Sequence, residues 1–124
     1  MRLLLDTNVL IWWLEESPRL DERTRDVITE EPGVTVSAVS AFEIAVKVAI
    51  GKLRVPGDLE AQIEEQEMSQ LPVTVRHGLA VRQLPTHHRD PFDRLLIAQA
   101  RCEGLTIVTA DPAFAAYDVP IMRA

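Results

Sequence analysis

The sequence predicts one α/β domain in which a small parallel sheet lies between layers of helices. Short runs of leucine, isoleucine and valine alternate with segments whose apolar residues recur at helical spacing. Alternation of that kind builds a parallel sheet covered on both faces. The 124 residues also contain no internal repeat, low-complexity segment or linker, and a chain of that length fits a single domain spanning residues 1–124. Apolar residues make up 47% and charged residues 26%, which excludes disordered, collagen-like and disulfide-scaffold chains.

The elements follow in order. Arg2 to Leu5 is a short apolar run suited to a buried strand, after which Val9, Leu10, Trp13 and Leu14 recur at helical spacing. Leu20 to Glu30 is a second helix, stopped by Pro32-Gly33. Val34-Thr35-Val36 is β-branched and reads as the second strand. Ser40 to Leu53 is a strong helix whose apolar face is expected from Phe42, Ala45, Val46, Ala49 and Ile50. Gly57 punctuates the chain before an acidic helix, Asp58 to Met68, with Leu59 and Ile63 turned inward. Leu71 to Val75 is a weaker third strand, followed by a short helix through Val81. Pro91 to Glu103 is a long helix ended by Gly104, a good C-terminal cap residue. Leu105 to Val108 is a clear strand and Val119 to Met122 a last edge strand.

Several function classes fall away early. No apolar run approaches the roughly 20 residues of a membrane helix. The first run is broken by Asp6 and lacks a small-residue cleavage site, so it does not read as a signal peptide. Cys102 is alone and sits in a helical pattern, where a free cysteine acts as a small apolar side chain. The cytoplasm is the expected compartment. With 13 Lys and Arg against 19 Asp and Glu, the net charge is −6. Such a chain has no general attraction for nucleic acid, so phosphate binding would need a local basic patch or a bound cation.

Four acidic residues fall where a strand has ended or a helix is starting: Asp6, Glu43, Asp93 and Asp111. Each has an ordinary reading. Ser40-Ala41-Phe42-Glu43 has the form of a capping box. Asp90-Pro91 and Asp111-Pro112 are cap-plus-proline pairs, and Asp93 suits the positive end of a helix dipole. Asp6 fits a cap less well, because a carboxylate directly after a buried strand is costly to desolvate. The joint pattern says more than any single position. In an open parallel sheet, residues just past the strands' carboxyl ends gather along the edge where ligands bind. Four carboxylates there repel one another unless a cation compensates. Oxygen-only donors suit Mg²⁺ or Mn²⁺, and carboxylate-held divalent ions commonly serve phosphoryl chemistry.

The segments LLLDTNVL, VSAVSAFEIAVKVAIGKL, HHRDPFDRLLIAQA and GLTIVTADPAF, in this order and spacing, resemble PIN-domain ribonucleases, most nearly the VapC-type toxins of bacterial toxin–antitoxin pairs. The resemblance runs from Leu3 to about Tyr117. It implies a PIN-like three-layer domain and hydrolysis of RNA phosphodiesters with Mg²⁺, for which Mn²⁺ would substitute. Asp6 and Asp93 match the family's direct metal ligands, and Glu43 and Asp111 would complete the site directly or through water. Asn8 matches the polar residue that orients the first acid. Close relatives have D-T-H there and W-E-I-A-I-K around the glutamate; Asn8 and Phe42 depart from this without removing a carboxylate. The resemblance further implies 5′-phosphate and 3′-hydroxyl products, a small antitoxin covering the site, and a homodimer.

Around these acids, Lys47 lies four residues after Glu43 and reads first as its helical ion-pair partner. Arg89 and Arg94 are candidates for RNA phosphate, with Lys52, Arg54, His87 and His88 behind them. Adjacent histidines point different ways, so His87 and His88 receive no metal role. Of Trp12 and Trp13, one is expected in the core and the other is a candidate for a partner surface. Two rival readings stand. One is a haloacid-dehalogenase-like or receiver-like phosphotransfer domain, which would need a second aspartate where Asn8 stands or an acceptor aspartate after Val34 to Ser37. The other is a non-catalytic partner-binding module whose acids only cap helices.

Overall fold

The computed structural model describes residues 2–87 and 89–124; His88 lies outside the described residues. Among the described residues, β1 (Leu3–Leu5), β2 (Val34–Ser37), β3 (Ser69–Leu71), β4 (Thr106–Thr109) and β5 (Ile121–Arg123) form one sheet. Its order is β3-β2-β1-β4-β5, with every neighbouring pair parallel. The helices are α1 (Thr7–Leu14), α2 (Glu22–Glu30), α3 (Ala38–Ala49), α4 (Leu59–Glu65), α5 (Val75–Ala80) and α6 (Pro91–Glu103).

Strand pleating splits the core in two. Leu3 and Leu5 face one way and pack with Val9, Leu10, Ile28 and Ile63 from α1, α2 and α4. Leu4 faces the other way and packs with Leu96, Ile97 and Ala100 of α6 and with Phe114. All three leucines are fully buried, each stabilising the fold by about 2–3 kcal/mol. The order reverses at the centre: the chain builds outward from β1 to β3, then returns to place β4 on β1's other side. In open α/β sheets the crevice at such a reversal, beyond the strands' carboxyl ends, is where ligands bind.

Several expectations are corrected. The third strand is Ser69–Leu71, not Leu71 to Val75. Pro72 lacks the N–H a ladder needs, and Thr74 opens α5 through a capping box with His77, drawing Val75 into a helix. The helix expected from Ser40 starts at Ala38, because the Ser37 hydroxyl accepts from the Val39 N–H. Its inner face is also different: Val39, Ser40, Glu43 and Ile44 are buried, while Phe42, Ala45, Ala49 and Ile50 are exposed and Val46 is half-buried. The helix lies against both α1 and α6, spanning the end of the sheet rather than one face. The remaining elements form, their ends within three residues of those expected. Gly104 closes α6 in the left-handed conformation at φ 68°, and Ile63 is the buried residue of the acidic helix. The expected split between Trp12 and Trp13 is corrected: both are half-buried against the core, Trp13 donating from Nε1 to Gln66 at 3.0 Å.

Candidate active site

Asp6 follows β1 at the reversal point and is 5% exposed. Its backbone N–H donates to the Val108 carbonyl at 3.0 Å, tying the strand end to β4. Oδ1 accepts from the Val9 N–H at 3.1 Å, so Asp6 caps α1 after all. Oδ2 accepts from the Thr109 hydroxyl at 2.5 Å. That hydroxyl also accepts from the Asp111 N–H at 3.0 Å, so one oxygen at the end of β4 holds two of the four acids. Burial pushes the Asp6 carboxyl above the ordinary aspartate value of 3.8. Hydrogen bonds from Thr109, Val9 and Asn8 work against that rise, and the negative charge of Glu43 adds to it. The Asn8 contact is made by its backbone amide while its side chain faces solvent, so Thr109 is the side chain that orients Asp6.

Glu43 has no cap to make. Ser37 caps α3, which leaves Glu43 in the second turn, and the capping-box reading of Ser40 and Glu43 is overturned. Ser40 is fully buried, its hydroxyl 3.0 Å from that of Thr7. The carboxylate of Glu43, 4% exposed, accepts from the Thr7 hydroxyl on Oε1 at 2.7 Å and from the Lys47 ammonium on Oε2 at 2.5 Å. Lys47 is held charged chiefly by this bond, and the fields of Asp90 and Asp93 add to it.

Asp93 is in the first turn of α6, half-buried, behind the Asp90 cap, which accepts from Phe92 at 2.8 Å and Asp93 at 3.1 Å. Asp111 caps the 3₁₀ turn Pro112–Ala116, accepting from Ala113 at 2.9 Å. Arg94 turns away from these acids: its guanidinium donates to the carbonyls of Pro85 at 2.9 Å, Val81 at 3.2 Å and Leu84 at 3.3 Å. It therefore braces α6 against the preceding loop. Arg89, Lys52 and Arg54 are exposed, and the His87 ring meets Tyr117 edge-on at 5.4 Å. Among the described residues, no three His, Cys, Asp or Glu side chains are placed to hold one ion jointly. What the geometry does assemble is a buried carboxylate pair, Asp6 and Glu43, in which the charge of Glu43 raises the Asp6 carboxyl, with Lys47 bonded to Glu43 inside the fields of Asp90 and Asp93.

Sequence reasoning missed Thr7, Thr109 and the reach of Lys47. Thr109 is indistinguishable in sequence from a β-branched strand former, and Thr7 from a first-turn helix residue; only their adjacency to Asp6 and Asp111 marked them.

The PIN-domain family model matches residues 3–120. The chain belongs to the PIN-domain family. The protein Ribonuclease VapC22 of Mycobacterium tuberculosis is 27% identical to it over 112 residues, covering 88% of this chain and 86% of that one. Among solved structures, VapBC2 from Rickettsia felis, bound to a DNA fragment from its promoter, superposes with a TM-score of 0.71 at 14% identity, over 99% of this chain and 98% of that chain. The toxin–antitoxin complex VapBC-5 from Mycobacterium tuberculosis gives a TM-score of 0.63 at 26% identity over the full length of both chains. Membership accords with the sheet order and with acids at the reversal point. It sets aside the dehalogenase-like and receiver-like readings.

Proposed function

We propose that this PIN domain is a metal-dependent endoribonuclease and the toxin of a toxin–antitoxin pair, working in the cytoplasm on RNA. The observation that carries the reading is Glu43: a buried helix-interior carboxylate with no backbone to cap, beside a second buried carboxylate at the sheet's reversal point. A buried carboxylate pair is held at an energetic cost, and a site that needs to bind cations is a reason to hold it. The names of the similar proteins, a ribonuclease and toxin–antitoxin complexes, support the same assignment.

The donor set fits a hard divalent cation. It is oxygen-only, and a cation would relieve the desolvation and mutual repulsion that raise the Asp6 carboxyl. Asp6 and Asp93 would hold Mg²⁺ or Mn²⁺, with Glu43 and Asp111 completing the shell directly or through water. When bound, such an ion supplies Lewis-acid polarisation of a phosphoryl oxygen and an attacking hydroxide from water. The chain's own residues orient the carboxylates: Thr109 fixes Asp6 and the Asp111 backbone, and Thr7 fixes Glu43. Attack by water rather than by the ribose hydroxyl leaves 5′-phosphate and 3′-hydroxyl ends. With Arg94 turned onto carbonyls, Arg89 and Arg54 are the remaining arginine candidates for phosphate. The outward apolar side chains Phe42, Val48 and Ile50 of α3 and Val75 and Leu79 of α5 are surface for the antitoxin and for a second copy of the chain.

Purified protein with Mg²⁺ or Mn²⁺ is expected to cut RNA to 5′-phosphorylated fragments. Asp6→Asn is expected to lose about 10²-fold or more, since even outer-shell partners of a metal are worth about 10–100-fold. Equal cutting by the variant, with its circular dichroism unchanged, would exclude the catalytic reading and leave the partner-binding module.

A further inference from the structure

The acid cluster already contains a cation of its own. Lys47 stands one helical turn beyond Glu43, and its ammonium bonds Oε2 of that residue while the fields of Asp90 and Asp93 on α6 act on it. This is more than the surface pairing that i,i+4 spacing describes, because the two partners differ in freedom. The Glu43 side chain is 6% exposed and fixed on its other oxygen by Thr7; the Lys47 side chain is 41% exposed. The carboxylate is the fixed element and the ammonium, on four flexible carbons, the removable one.

We propose that Lys47 is a resident counter-cation seated on Oε2 of Glu43, and that a divalent ion must displace it to bind. This rests on the metal-dependent reading above and adds a positioning residue to it. The ammonium and the Thr7 hydroxyl each hold one carboxylate oxygen, so Glu43 keeps one orientation. The ammonium also opposes the incoming ion, by occupying an oxygen lone pair and by repelling a second positive charge. Affinity for the metal is therefore set partly by the chain itself, and the ion-free protein gains a rigid site in exchange.

The test measures Mn²⁺ affinity by titration calorimetry and the melting temperature in EDTA, for wild type, Lys47→Met and Lys47→Arg. Lys47→Met keeps the apolar stem but removes the charge, so it should bind Mn²⁺ about tenfold or more tightly. It should also melt at a lower temperature in EDTA, and Lys47→Arg should stay near wild type in both readouts. If Lys47→Met does not fold, Lys47→Gln, uncharged but still able to donate to Glu43, takes its place with the same expectation. Equal or weaker Mn²⁺ binding by the uncharged variant overturns the counter-cation role and leaves the metal reading standing. Absence of Mn²⁺ binding by every protein overturns both.

Discussion

Helices α3 and α6 both bring an acid to the same sheet edge, and they do so in opposite ways. In α6 the apolar stripe turns inward, burying Leu96, Ile97 and Ala100, and the acid Asp93 sits at the capped first turn. In α3 two polar residues, Ser40 and Glu43, are buried beside Val39 and Ile44, while Phe42 is 63% exposed and the C-cap Ile50 60%. An apolar stripe identifies a face that gains by being covered, without saying that its own core does the covering. The exposed apolar stripe of α3 follows from its place across the end of the sheet, where its inner side meets Thr7 of α1 and the start of α6.

The sharpest way to break this contrast is to truncate an apolar residue on each helix. Leu96→Ala in α6 empties a fully buried position and should cost about 3 kcal/mol in urea denaturation. Phe42→Ala in α3 should change stability by less than about 0.5 kcal/mol for the isolated chain, its ring being exposed apart from the edge contact with Phe92 at 5.8 Å. Comparable losses would mean that the outer face of α3 is folded onto something in this chain. The two caps should differ next. Asp90→Ala removes a cap at about 1 kcal/mol. Ser37→Ala removes a cap and also the hydroxyl that bonds the buried amide oxygen of Gln99, so its loss should be larger, about 2 kcal/mol.

The smallest effect expected is in pH. The Asp6 carboxyl is raised in the folded state, so between its unfolded and folded values the folded chain binds more protons than the unfolded one. Stability without metal therefore falls as pH rises through that window, and the loss stays in place above it. Asp6→Asn removes the term: at neutral pH, in EDTA, it should melt higher than wild type, with the gap closing as pH approaches 3.8. A gap that is constant with pH would show that desolvation of Asp6 is not its origin.

The sequence carried the strands and helices well where one periodicity ruled, as in Leu3 to Leu5 and Pro91 to Glu103. It failed where two local codes overlapped. Val73, Thr74 and Val75 look like a strand, but Pro72 and the Thr74–His77 capping box decide otherwise. The acids show the same limit from the other side. Ser40 to Glu43 spells a capping box and makes none, whereas Asp6, the least cap-like of the four in sequence, caps α1. Which hydroxyl reaches which carboxylate depends on contacts across tens of residues: Thr7 to Glu43, and Thr109 to Asp6. Strand order was equally hidden, because β4 inserts beside β1 from more than a hundred residues away.

That insertion sets when the site comes into being. A ribosome-bound chain that has exposed only its first three strands carries Asp6 and Glu43, but not the hydroxyl that aims Asp6 or the two acids of the last third. The centre closes only once Thr106–Thr109 docks against Leu3–Leu5. Synthesis is thereby ordered so that the acids at the beginning of the chain wait for those at its end, a useful sequence for a chain whose proposed substrate is RNA.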